Sequence, residues 1–332
     1  MADELLPIPQ VPAALREAAQ RGRLIPFIGA GVSLLAGCPS WQKFADDALE
    51  SLIRGGSFTY SHLRQIQHLN PRVKLSLVRS LAHELGFTIN YRALLQSADW
   101  RGHKNGRSLY KNLFSLGKTF VTTNYDEWLD ESIPESAPSA SPSTATAQVS
   151  PVNQNRVVYR IDELLPALLD EPNTVVHLHG SVLDPDTMVL TTQDYVARYA
   201  NDRLSPEHSE ENRVLTFLDF LFNNKTVLFI GYGLEELEIL EYVVLKAGRP
   251  AHASGLEPRH YILQGFFSHE ETLMRSMKSY YANECDIQLI PFRRDEKDWV
   301  QLLDVLKDFA ERMPASAPLT LEKMQNMKDL LT

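Results

Sequence analysis

Four short motifs, each closing an apolar β-type run, constrain this chain more than any other feature. Gly29-Ala30-Gly31-Val32-Ser33 follows Leu24 to Ile28, and Thr122-Thr123-Asn124-Tyr125-Asp126 follows Thr119 to Val121. His177-Leu178-His179-Gly180 follows Thr174 to Val176, and Gly231-Tyr232-Gly233 follows Val227 to Ile230. Helical periodicity fills much of the sequence between these runs, and strands alternating with helices specify a parallel sheet covered on both faces. In an open sheet of that kind the carboxyl ends of the strands form one rim, where ligands bind. One rim then gathers two glycine-rich turns, an amide, a carboxylate and an imidazole, a set suited to a dinucleotide whose glycosidic bond is broken.

The 332 residues, 44% hydrophobic, suffice for one large Rossmann-like α/β domain over residues 1–332. A first helix is expected from Pro12 to about Arg21, since proline suits a first helical position. Helical spacing in residues 45–115, as at Leu75, Val78, Leu81 and Ala82, predicts a helical insertion between the first two strands. Residues 134–151 consist almost wholly of Ser, Pro, Ala and Thr, which bury too little apolar surface to offset ordering entropy; a flexible surface loop is expected there. Further on, the pattern predicts a short strand at Met188 to Leu190, helices around Asn212 to Phe222 and Leu234 to Lys246, and strands at His260 to Leu263 and Ile287 to Pro291. Trp299, Leu302, Leu303, Leu306, Ala310 and Met313 mark one face of a last helix. The tail, residues 314–332, is expected to cover an edge or to touch another subunit.

Composition removes several function classes. A net charge of −9 argues against direct binding to nucleic acid, whose affinity comes mainly from Lys and Arg displacing counterions. Two cysteines, Cys38 and Cys285, are too few for a disulfide framework or a four-cysteine zinc site, so no metal is expected. The acidic, proline-containing start has no signal-peptide pattern, and no run approaches the roughly 18 apolar residues of a membrane span. The sequence therefore reads as a cytoplasmic protein without membrane association.

At the first turn, glycine permits close approach of a ligand, and N–H groups at the following helix start can hold a pyrophosphate. Ser33 adds a hydroxyl. The full dehydrogenase fingerprint would place glycine where Leu34 stands, and the Gly-Lys-Ser/Thr of a Walker loop is absent, so an ordinary strand-to-helix turn is the competing reading. Asn124 and Asp126 have turn or cap roles as their alternative. His177 and His179 share a strand face, which makes one or both candidates for hydrogen-bonded core residues. Gly180 ends the strand near His179 and favours that ring for the rim.

The ordered set resembles the sirtuin superfamily, and most closely its bacterial sirtuin-like NADase branch, in which Thr-Thr-Asn-Tyr-Asp and His-Leu-His-Gly are typical. Pro39-Ser40-Trp41 also resembles that branch, and the likeness runs from about Ile25 to Gly233. It implies NAD⁺ as substrate, cleaved to nicotinamide and ADP-ribose. It assigns Gly29, Ala30, Gly31 and Ser33 to the pyrophosphate and adenosine side, and Asn124 and Asp126 to the nicotinamide ribose and amide. His179 becomes the general base, Gly231, Tyr232 and Gly233 line the adenosine ribose side, and Trp41 and Thr123 join the cofactor-binding residues. The chemistry agrees: nicotinamide is already a cationic leaving group, so the protein must place the ribose and a water and accept a proton. An imidazole titrating near neutrality suits that task.

Departures from the deacylase pattern are specific. The four zinc cysteines are missing, Thr123 stands where glutamine precedes the asparagine, and Pro39-Ser40-Trp41-Gln42 replaces Pro-Asp-Phe-Arg. A protein deacylase and a non-catalytic NAD⁺ or ADP-ribose sensor are the alternatives to a hydrolase. The resemblance further implies an NAD⁺-depleting role in antiphage defence. It leads us to expect a homo-oligomer and control by a co-encoded hexameric helicase- or translocase-type ATPase or a phage-derived trigger.

Overall fold

The computed structural model describes residues 4–54, 56, 58–97, 99, 101–131, 155–199, 212–233 and 260–315. Among the described residues seven strands form one sheet: β1 (Leu24–Ile28), β2 (Thr119–Thr122), β3 (Arg156–Val158), β4 (Thr174–His177), β5 (Thr226–Ile230), β6 (His260–Phe266) and β7 (Ile287–Arg293). Their spatial order is β3-β4-β2-β1-β5-β6-β7, and every pairing is parallel. The Rossmann-like α/β fold expected from the motif order is therefore the fold observed.

Alternation along the strands decides what each face buries. Ile25, Phe27, Val121, Val176, Val227 and Phe229 point to one side and pack with α9 (Arg213–Asn224) and α10 (Glu271–Glu284). Leu24, Ile28, Phe120, Val175, Leu228 and Ile230 point to the other, against α1 (Ala13–Gln20), α7 (Gly106–Leu116) and α11 (Gln301–Arg312). Strands buried on both faces read as continuous apolar runs, which is why they were recognisable without alternation.

Between β1 and β2 lie α2 (Ala30–Leu35), α3 (Trp41–Arg54), α4 (Tyr60–Ile66), α5 (Pro71–Glu84), α6 (Tyr91–Leu95) and α7. A separate cluster joins Phe44, Ala48, Leu49 and Leu52 of α3 to Leu75 and Val78 of α5. Val182, Met188 and Leu190, from the segment after β4, complete it and attach these helices to the sheet rim.

The strand expected at Met188 to Leu190 is not formed. Val189 instead donates its N–H to the His179 carbonyl (2.9 Å) and accepts from the Tyr125 hydroxyl (2.6 Å), so the backbone groups a ladder would use are engaged by a loop and a side chain. Elements additional to the expected ones are the short edge strand β3, α8 (Thr192–Tyr199) and α10. The 134–151 segment, the Leu234 to Lys246 helix and residues 316–332 lie outside the described residues.

Candidate functional site

The four motifs occupy the carboxyl ends of four adjacent strands, β4-β2-β1-β5. The chain leaves β1 towards β2 and later returns to β1's other side with β5, so the rim above β1 is a point where strand order reverses, the preferred ligand crevice of open α/β sheets. Thr122 pairs with His177, and Asn124 and His179 each stand two residues beyond that pair, on the same rim.

The glycine turns meet each other. Gly231, at φ +73°, turns its carbonyl back so that it accepts the Gly31 N–H at 2.8 Å, while Gly29 N–H donates to Ile230 at 2.9 Å. A Cβ on Gly31 would lie 2.8 Å from the Gly231 oxygen, and one on Gly231 would lie 2.6 Å from the Val32 nitrogen. Close backbone approach thus requires these glycines. The Gly29 and Gly31 N–H groups are engaged by Ile230, the last residue of β5, and by Gly231 just beyond it. Of this turn, Ala30 and Gly31 remain partly exposed.

Asn124 is 7% exposed and its side-chain orientation is fixed by chemistry. Its amide nitrogen donates to the Gly29 carbonyl (3.0 Å) and to Ser33 Oγ (2.9 Å); Ser33 in turn donates to Asp126 Oδ2 at 2.6 Å. A carbonyl only accepts, so the nitrogen must face Gly29, and both its protons are used. The atom left for a ligand is the acceptor Oδ1. The main chain of Asn124 is held too, its N–H by Thr122 Oγ1 (3.0 Å), which itself donates to the Ile28 carbonyl (2.8 Å). Asp126 is buried and also accepts from the Trp128 N–H; burial lifts its carboxyl above the ordinary range despite the Ser33 bond and nearby His177, which favour the charge.

His179 is buried, with Nε2 2.7 Å from the Tyr199 hydroxyl. Burial first, then the charges of Arg198 and Arg72, lower its pKa to about 3. The ring is therefore neutral at physiological pH and a weaker base than the near-neutral imidazole expected from the sequence. Tyr125, Tyr195 and Tyr199 surround it, with ring centroids 6.4, 5.4 and 5.9 Å away, and Trp41 stacks on Tyr125 at 5.8 Å. Arg198 donates to the Thr187 carbonyl at 2.8 Å, while its buried Nη1 has no partner among the described residues.

Two sequence candidates are placed inside the core. Tyr232 is 4% exposed, packs on Phe27 and Phe229, and shares a 2.8 Å hydrogen bond with Thr123 Oγ1. Both side chains brace the turns from beneath, and Gly233 is exposed beside them. Tyr199, Arg72 and Arg198 went unremarked in the sequence because no motif marks them; they reach His179 only through folding of α5 and α8.

The SIR2-like domain family matches residues 118–290, the stretch from β2 into β7. The chain belongs to the SIR2-like family. This membership implies use of NAD⁺ and agrees with the rim assembled above. No curated protein matches the chain. The acceptor Oδ1 of Asn124, the neutral His179 and the buried, unpartnered Nη1 of Arg198 are groups that a dinucleotide with hydroxyls and negative phosphates can satisfy. Among the described residues of this SIR2-like chain, no cluster of three His, Cys, Asp or Glu is placed to hold a metal ion, and no helix is long and apolar enough to cross a membrane.

Proposed function

We propose that this SIR2-like protein is an NAD⁺ glycohydrolase that releases nicotinamide and ADP-ribose. The observation that carries the reading is Asn124, an amide locked by Gly29 and Ser33 so that one acceptor atom is presented at the strand-reversal rim. That atom suits orientation of a ribose hydroxyl or a water without titrating, and positioning is a large part of such catalysis. Attack of water at C1′ forms the new C–O bond as the C–N bond to nicotinamide breaks, with the electron pair leaving on the ring nitrogen. His179 takes the water's proton. Negative phosphates brought near Arg72 and Arg198 would oppose the charges that now weaken this base.

Hydrolysis is favoured over deacylation because the cysteines have other places. Cys285 packs on one face of the sheet and Cys38 on the other, both buried, so they cannot jointly staple a peptide-binding zinc module. Incubating purified protein with NAD⁺ and separating the products tests the reading: nicotinamide and ADP-ribose should appear without acylated peptide. A strict requirement for acyl-lysine peptide, with O-acyl-ADP-ribose formed, restores the deacylase. Binding of NAD⁺ without turnover indicates a sensor.

The role we propose is NAD⁺ depletion in antiphage defence. A freely active enzyme would harm its own cell, and we infer restraint through homo-oligomerisation or through a partner such as a co-encoded ATPase or a phage-derived trigger.

A further inference from the structure

His177, the last residue of β4, is fully buried and faces hydrogen-bond acceptors at both ring nitrogens. Nδ1 lies 2.8 Å from the main-chain carbonyl of Asn124, and Nε2 lies 2.7 Å from Asp130 Oδ1. A neutral imidazole has one N–H and an ionised carboxylate has none, so these two contacts need two protons within the pair. The pair is satisfied only as imidazolium with carboxylate, or as imidazole with carboxylic acid; both are neutral overall. Asp130 Oδ2 is buried without a partner among the described residues, which leaves His177 as the group that holds this carboxylate.

We propose that the His177–Asp130 pair is a protonated clamp that positions Asn124 through its carbonyl, so that removal of one proton displaces the amide at the candidate site. The positioning is indirect, since neither side chain is offered to a ligand. With a single proton left, the bond to the charged Asp130 wins it, and Nδ1 then directs a lone pair at the Asn124 oxygen. Repulsion replaces a hydrogen bond at the residue whose side chain spans Gly29 and Ser33. The charged groups facing His177 are Asp130 and Asp126, both from the turn after β2; its cross-strand partner on β2, Thr122, carries no charge. Burial alone would remove the ring's proton, but Asp130, the Asn124 carbonyl and Asp126 outweigh it and hold the pKa above the ordinary histidine value. The clamp is closed below this raised pKa and opens above it.

The link to turnover rests on the glycohydrolase reading, so the first measurement is independent of activity. Full-length protein carrying ¹⁵N-labelled histidine and asparagine is titrated by NMR. The His177 ring should be protonated at both nitrogens at neutral pH, or share its second proton with Asp130, and the Asn124 side-chain amide should shift with the same midpoint as the pair. Asp130→Asn should move both midpoints together to lower pH, and His177→Gln should remove the Asn124 titration. A pair holding one proton at neutral pH, or an Asn124 amide indifferent to the His177 titration, overturns the proposal. In NAD⁺ hydrolysis, kcat should fall roughly 100-fold along an alkaline limb with that midpoint, the loss expected from misplacement of about 1 Å. An alkaline limb unmoved in Asp130→Asn refutes positioning, since a merely structural pair would alter melting and leave the limb in place. Absence of turnover in wild type at every pH refutes the glycohydrolase reading alone, because the NMR midpoints still decide the clamp.

Discussion

Replacing Asn124 by aspartate changes the side chain's shape almost not at all and reverses its hydrogen-bonding chemistry. The amide gives its two protons to the Gly29 carbonyl at 3.0 Å and to Ser33 Oγ at 2.9 Å; a carboxylate gives none. The Gly29 oxygen keeps the Val32 N–H at 3.1 Å but loses the amide, and this bond and the lost Ser33 bond cost about 0.5–1.5 kcal/mol each. Ser33 has one proton, already committed to Asp126 at 2.6 Å, so two buried carboxylates would compete for it and repel each other. The sum is about 2 kcal/mol, which in a chain of this length lowers the melting temperature by roughly 3 °C. The loss should shrink on acidification, because protonation of the new carboxyl restores one donor. Thermal melts from pH 5 to 8, run beside nicotinamide release, read both consequences, and turnover should fall at least about 100-fold as the acceptor atom leaves its position. A variant that melts and turns over like wild type at neutral pH would refute the locked-amide argument.

Three further outcomes follow from the same contacts. His179→Gln, which keeps a polar group towards Tyr199, should fold normally and lose about 10²- to 10⁴-fold in kcat; near wild-type hydrolysis would return His179 to a structural role. Gly180→Ala should unfold the rim, because at φ +82° an added Cβ would sit 2.2 Å from the Thr187 oxygen, and unchanged denaturant midpoints would show that this approach relaxes at little cost. Asp126 has its folded pKa raised by burial, so its contribution to stability is complete below the unfolded carboxyl value and is lost as pH rises through the folded one. Asp126→Asn, whose Oδ1 can still accept from Ser33, should flatten that part of the stability–pH curve, and an identical curve in the variant would place the pH dependence elsewhere.

The candidate site was legible to different depths at its different residues. Asn124, Asp126 and His179 stood out because each follows an apolar run that can only be a buried strand, and parallel strands put their carboxyl ends on one rim. Ser33 was named for a hydroxyl, without sight of its place between Asn124 and Asp126. Tyr232 was assigned to the ligand because it lies between two glycines; its burial on Phe27 and Phe229 depends on ring packing that periodicity does not report. The weak basicity of His179 escaped for a similar reason, since it comes first from burial and then from arginines carried on α5 and α8.

What the sequence determined by itself is therefore the order of the four motif-bearing strands along the chain, the apolar faces and the end of the sheet at which chemistry-bearing residues collect. These follow from local periodicity and from glycine interrupting it, quantities written within a few neighbouring residues. Only the tertiary structure decided which protons those residues keep. The Gly31 N–H went to Gly231, the Asn124 protons to Gly29 and Ser33, and the His177 nitrogens to Asn124 and Asp130. Each of these choices joins groups far apart in sequence inside a medium too dry to leave a polar atom unpaired at little cost, and that accounting closes only once the sheet has brought the partners together.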